Sequence, residues 1–400
     1  MASKKLGAAL GAIALMLTAC GGSGGEAGGS AGEPIRIGGA YSVSGAFATL
    51  GVEANEGAEA YVKCRNDSGG VLGRPLELVS IDTASDPQVV LDAVQRLADR
   101  DGVVGIVGPE GTPTTIAAIQ ASRTAQVPII SNGGSWPFGQ TPEQLEWVFS
   151  TTPPTQQIMD GYVEWWTKRG DVKTFAVIGA DTPFLAVPRQ WYEAKKDFLA
   201  VKMVAFVPFP PGAVDPVAEA TTIRDANPDF IISWSSGPDQ ATALRTLSRL
   251  GVDVPIGMNG GVTSDVFGRI AGPELLAGKY AATYPPESLE DLPADYPLTQ
   301  TIKEYTSCMQ TAGFDSKSGA SSAYLGYDAV ASLVQGIETA GSVEPHALRN
   351  ALETQTYVGA SAVYKRTPQN HNGAQGINYN ISENANGAWS LVHLPTGGRS

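Results

Sequence analysis

From Ile35 onward the chain alternates short, continuously apolar runs with amphipathic segments of helical period. That alternation restricts it to an α/β fold built on parallel strands. Strands are expected over residues 35–40, 76–81, 103–107, 128–131, 174–178, 230–234 and 256–258. Most carry apolar side chains on successive rather than alternate residues, as strands covered by helices on both faces must. Val90, Ala93, Val94 and Leu97 fall at i, i+3, i+4 and i+7, one helical face, with Asp86 as its N-cap and Pro87 in the first helical position. Leu244, Leu247 and Leu250 form a similar stripe ahead of Gly251, a helix-ending glycine. Further helical patterns cover 298–312, 323–340 and 345–352.

The strand and helix unit occurs in two blocks, 35–130 and 174–258, which indicates two similar α/β lobes. Roughly 370 structured residues also exceed what one hydrophobic core usually holds. Between the blocks, the Thr/Pro/Gln segment 151–157 reads as a crossing strand or hinge, and 285–297 is a second irregular stretch rich in proline and acid.

The first twenty residues carry a separate message. Lys4 and Lys5 precede an apolar run that ends in Leu17-Thr18-Ala19-Cys20, the order of a bacterial lipoprotein signal with its lipobox. The run is about 12 residues, against about 20 for a membrane-spanning helix. Cleavage before Cys20 leaves its sulfur to carry the lipid anchor; an ordinary secretory signal with an incidental cysteine is the alternative. Residues 21–33, mostly Gly, Ser and Ala, read as a flexible tether. Removing the signal takes two lysines with it and deepens the formal net charge from −13. So acidic a chain is a poor partner for nucleic acid or anionic lipid, and its membrane contact is expected through the anchor alone. With Cys20 lipidated, Cys64 and Cys308 either pair in an oxidising compartment or lie apart as buried thiols. A bridge would close a long loop and stabilise by about 4 to 5 kcal/mol.

Signals of catalysis are scarce. His346, His371 and His393 stand at no metal-ligand spacing, so neither a metal nor a cofactor is expected. The G-x-S-x-G string at Gly21 to Gly25 lies in the tether, without the strand and helix that a nucleophile elbow needs. The sequence is poor in enzyme signals, and no catalytic activity is expected of it.

Small polar loops follow three of the expected strands: Ser42-Val43-Ser44-Gly45, Pro109-Glu110-Gly111-Thr112 and Asn132-Gly133-Gly134-Ser135. Ligands of open α/β sheets bind outside the carboxyl ends of strands, where these loops fall. Thr112 is expected to cap a helix over 114–124, whose free N–H groups favour an anion, or simply to cap it. With the backbone of Gly133 and Gly134 and the hydroxyl of Ser135, the set suits a carboxylate.

Several strings occur in the order and spacing of one family. They are Ile35-Arg36-Ile37-Gly38, Ser42-Val43-Ser44-Gly45, Gly57-Ala58-Glu59, Asn66 with Gly69-Gly70-Val71-Leu72-Gly73, Asp82 with Ser85-Asp86-Pro87, Val127-Pro128-Ile129-Ile130-Ser131 and Tyr327-Asp328-Ala329. Together they resemble the type I periplasmic binding proteins of the leucine/isoleucine/valine class, from Ile35 to the end. The resemblance implies two parallel-sheet lobes joined by three crossing segments, 34–153 with 284–355 and 154–283 with 356–400, closing on a ligand. It maps the ligand-carboxylate contacts onto Thr112, Gly133 and Ser135, and a covering aromatic onto Phe184, where the family's phenol is missing. A nearby family tyrosine corresponds to Ser236, and the family's acidic partner for a ligand ammonium falls in Asn259-Gly260-Gly261, which has no carboxylate. Either another acid, Glu110 or Asp181, takes that role, or the solute is an apolar or aromatic acid without an amine. Trp136, Phe47, Phe184 and Trp234 suit such a ligand or belong to the core, the reading favoured for Trp234. The resemblance also raises the case for a Cys64–Cys308 bridge. It implies a small carboxylated solute as ligand, ABC permease and ATPase subunits as partners, and a place on the outer face of the cell membrane; a sensor subunit presenting ligand to a receptor is the alternative.

Overall fold

The computed structural model describes residues 32–137, 139–314, 322–385 and 387–396. The signal sequence, Cys20 and most of the tether lie outside them. Five strands, β1 (Ile35–Tyr41), β2 (Leu76–Asp82), β3 (Ile106–Val107), β4 (Ile129–Ser131) and β5 (Val148–Ser150), form a wholly parallel sheet in the order β2-β1-β3-β4-β5. A second sheet is built from β6 (Thr174–Ala180), β7 (Lys202–Phe209), β8 (Phe230–Ser233), β9 (Ile256–Met258) and β10 (Tyr280–Thr283). A short antiparallel pair, β11 (Thr356–Val358) and β12 (Val363–Lys365), stands apart, while β13 (Asn380–Ala385) and β14 (Ala388–His393) join the second sheet antiparallel. Its order is β14-β13-β10-β9-β8-β6-β7.

Helices cover these sheets for the reason the sequence states. Around the first lie α1 (Ala48–Asp67), α2 (Pro87–Asp99) and α3 (Thr112–Ala125), and α2 buries Val90, Ala93, Val94 and Leu97 beneath β1. The valine and leucine side chains each contribute about 1.5–3 kcal/mol on burial. Asp86 caps α2, its carboxylate accepting the Gln88 N–H at 2.7 Å. Around the second sheet lie α4 (Gln156–Arg169), α5 (Ala186–Lys195), α6 (Val217–Asp225), α7 (Gly237–Arg249), α8 (Asp265–Ala271) and α9 (Pro273–Leu276). In α4 the Tyr162 hydroxyl donates to the Met258 carbonyl at 2.8 Å and accepts the Met258 N–H at 3.0 Å, fixing the helix to β9.

The backbone passes between the sheets three times: after β5, after β10, and between β12 and β13. In the middle excursion α10 (Thr299–Ala312) and α11 (Ala323–Ala340) pack on α1, and α12 (Pro345–Glu353) packs on α11. Gly57 and Gly326 let α1 and α11 touch, since a Cβ on either would lie 1.8 Å from a carbonyl oxygen of the other helix. Cys64 of α1 is disulfide-bonded to Cys308 of α10, with Cα atoms 5.9 Å apart across 244 residues of sequence. Asp328 of α11 is fully buried and holds the β11–β12 pair, accepting from Tyr357 Oη at 2.8 Å, from the N–H groups of Ala360 and Ser361 at 2.9 and 3.0 Å, and from Ser361 Oγ at 2.6 Å. Among the described residues no helix is long and apolar enough to cross a membrane.

Candidate functional site

Each sheet reverses its strand order once, between β1 and β3 in the first and between β6 and β8 in the second. At such a switch point the loops leave in opposite directions and open a crevice at the carboxyl ends of the strands. One cavity of about 90 Å³ is lined from both crevices. The first contributes Glu110, Gly111, Thr112, Asn132, Gly134 and Ser135, and the second Phe184, Ser236, Asn259, Gly260 and Gly261. The passages between sheets add Thr152, Thr155 and Tyr284, and Tyr379 stands just before β13.

Helix α3 begins two residues earlier than the sequence suggests. Gly111, not Thr112, occupies the N-cap position, with φ +78°. A Cβ at Gly111 would lie 2.7 Å from the ring of Phe47, so the turn needs a residue without one. Thr112 is thereby released from capping, and its Oγ1 lies 2.7 Å from Ser135 Oγ, both hydroxyls being buried. They face the cavity beside the first N–H groups of a 14-residue helix, a setting that favours a carboxylate. The Gly133 N–H is not turned to this cavity. It donates to Ser131 Oγ at 2.9 Å, and Gly134 takes the lining position instead.

Glu110 is 2% exposed. Its Oε2 accepts the Ser42 N–H at 3.0 Å across the switch point, while Oε1 has no partner. Burial pushes this carboxyl up to about 7, against which the Ser42 hydrogen bond works. On the opposite wall Asn259 is committed to the backbone: its Oδ1 accepts from Ser235 N at 3.2 Å and its Nδ2 donates to Gly260 O at 2.9 Å. Asp181, the other acid that the sequence offers, is exposed and does not line the cavity.

The aromatic candidates separate. Phe47 and Phe184 line the cavity. Behind Phe184, the fully buried Trp234 packs at 5.3 Å between ring centroids and donates its Nε1–H to Phe184 O at 3.0 Å, so it backs the wall as core. Trp136, expected beside the ligand, is buried instead in the first-sheet core with Ile119, Ile129 and Leu145. Sequence reasoning missed Tyr284 and Tyr379. Their hydroxyls meet at 2.8 Å, and Tyr379 Oη donates onward to Pro153 O at 2.8 Å. These residues stand 95 apart in sequence, and no local pattern links them.

Two lobes with a small, two-walled cavity at facing switch points define a ligand-capturing protein of the two-lobed binding class. The sequence pattern of the periplasmic binding protein family matches residues 34–379, and the chain belongs to that family, in its type I, branched-chain amino acid class. A Leu/Ile/Val-binding protein homolog 1 of Brucella abortus is 27% identical over 337 residues, covering 82% of this chain and 84% of that protein. The fold matches the crystal structure of an extracellular ligand-binding receptor from Rhodopseudomonas palustris HaA2, with TM-score 0.80 and 20% identity over 90% of this chain and 99% of the other. It also matches an R. palustris ABC transporter solute-binding protein in complex with 4-hydroxybenzoate, with TM-score 0.75 and 18% identity over 90% and 96% of the two chains.

Proposed function

We propose that this protein is an extracytoplasmic solute-binding lipoprotein, anchored through Cys20, that captures a small carboxylated solute between its lobes and passes it to the permease and ATPase of an ABC importer. The observation that carries this reading is the buried Thr112–Ser135 hydroxyl pair beside the start of α3, facing a cavity shared by both sheets. Hydrogen bonds from hydroxyls and helix N–H groups hold an anion without a buried cation, and the reading assigns the solute carboxylate to them. Phe47, Phe184 and Ile158 supply apolar walls for the remainder of the solute, and Ser236 a hydroxyl on the far side. Lobe 1, residues 34–153 with 284–355, closes on lobe 2, residues 154–283 with 356–400, about the three passages. Capture and release involve no covalent chemistry.

The test is calorimetric titration of the delipidated protein, after partial unfolding to strip carried-over solute, with leucine, isocaproate and 4-hydroxybenzoate, each beside its carboxamide. Binding of an acid whose carboxamide fails to bind is the expected result. Equal affinity for an acid and its amide would remove the carboxylate from the account.

A further inference from the structure

One carboxylate ties together three segments of the cavity wall from outside the cavity. Glu287, in the short helical turn Pro285–Asp291 after the second passage, does not line the cavity; with Thr263 it lines a separate groove. Its Oε2 accepts from Thr263 Oγ1, and its Oε1 accepts from Tyr324 Oη at 2.6 Å and from the Tyr284 N–H at 3.1 Å. All three donors belong to the wall or adjoin it. Thr263 comes two residues after Gly261, Tyr284 is itself a lining residue, and Tyr324 falls between Ser322 and Leu325, which line the cavity. The two side-chain donors come from different sheets. Thr263 is in the loop that leaves β9 of the second sheet, whereas Tyr324 begins α11, whose Val330, Leu333 and Val334 are buried with Ile37 and Ile130 of the first. Whichever sheet Glu287 follows when the lobes part, one of these two bonds crosses the hinge.

Resting on the solute capture and lobe closure proposed above, we propose that Glu287 is a positioning residue for capture, bridging the Gly260–Gly261 wall of one lobe to the Ser322–Leu325 wall of the other only when the lobes are closed. It touches no solute. The bridge acts by raising the population of the closed form, and apparent affinity follows the population of the binding-competent state. Hydrogen bonds to an ionised acceptor are the strong kind, so two of them in series suffice to bias the hinge. Losing the bridge speeds release and leaves encounter with the open form unchanged. Because the two links act in series, cutting either does as much damage as cutting both, a non-additivity expected of residues that share one partner.

The experiment compares wild type with Thr263→Val, Tyr324→Phe, their double variant, Glu287→Ala and Glu287→Gln. The probe is whichever of leucine, isocaproate and 4-hydroxybenzoate binds wild type most tightly, followed by calorimetry and by stopped-flow tryptophan fluorescence, with urea unfolding to show that each variant is folded. Thr263→Val and Tyr324→Phe conserve volume and remove only a hydroxyl. Each single variant and Glu287→Ala are expected to bind about tenfold more weakly, through a faster dissociation rate at an unchanged association rate. The double variant should be no more than about twofold weaker than either single variant. Glu287→Gln, whose amide still accepts from Tyr324 and donates to Thr263, should stay within about threefold of wild type. Losses that add in the double variant, or an affinity and dissociation rate unchanged in Thr263→Val and Tyr324→Phe, overturn the bridge while leaving the solute reading intact. Binding of none of the three solutes by wild type overturns the solute reading and the bridge with it.

Discussion

Thr112 Oγ1 and Ser135 Oγ lie 2.7 Å apart although they leave the ends of different strands, β3 and β4. One hydroxyl donates to the other, which leaves the second proton and the remaining lone pairs for a third group. Thr112→Ala and Ser135→Ala are each expected to weaken a carboxylated solute about tenfold to a hundredfold, the worth of about 1.5–3 kcal/mol for a hydrogen bond to a charge. Titration calorimetry checks this. Thr112→Ser, which keeps the hydroxyl, should bind nearly as well as wild type.

Glu110 gives the solute-free protein a pH dependence of definite sign. Its carboxyl titrates near 7 when folded and near the ordinary 4.5 when unfolded. Between these values the folded state holds the extra proton, so stability is fully present below about 4.5 and is lost as pH rises through about 7. Glu110→Gln removes that loss. It should match wild type at acid pH and be more stable by about 3 kcal/mol above pH 8, measured by urea unfolding across the range. A wild-type stability that rises over this interval faster than that of the variant would contradict the burial argument.

The Cys64–Cys308 bridge ties α1 to α10 across 244 residues. In the chain-entropy model a loop of that size contributes about 5 kcal/mol. Reduction, or the double variant Cys64→Ser with Cys308→Ser, is expected to lower the urea midpoint accordingly. Mass analysis of the mature protein with and without reductant should show a gain of two hydrogens.

Asp328 gathers four donors from the β11–β12 pair. Asp328→Ala would strand them in a region where Ser361 and Tyr364 are fully buried. A loss of about 3 kcal/mol or more is expected by denaturant unfolding, with Asp328→Asn less severe because its carbonyl oxygen still accepts.

The parallel core was legible in the sequence because strands such as Phe230–Ser233 are buried at every position and so read as unbroken apolar runs. Strand β7 escaped because it lies at the sheet edge, where exposed and half-buried residues alternate. In β13 the side chains of Asn380, Ser382 and Asn384 are buried, so its pattern is polar where a hydrophobic signal was sought. At the site, the loops directly after strands carry Glu110, Thr112 and Ser135, and all three line the cavity. Trp136 and Gly133 sit in the same loop, and loop position alone does not say that one turns into the core and the other spends its N–H on Ser131. Tyr284 and Tyr379 reach the cavity through the passages between sheets, a tertiary relation without a local signature.

The most direct measurement is a crystal structure of the protein with the tightest carboxylated solute found by titration. The account predicts a solute carboxylate within hydrogen-bonding distance of Thr112 Oγ1 and Ser135 Oγ, its body between Phe47 and Phe184. A carboxylate seated against the second-lobe wall, with the Thr112–Ser135 pair untouched, would contradict it.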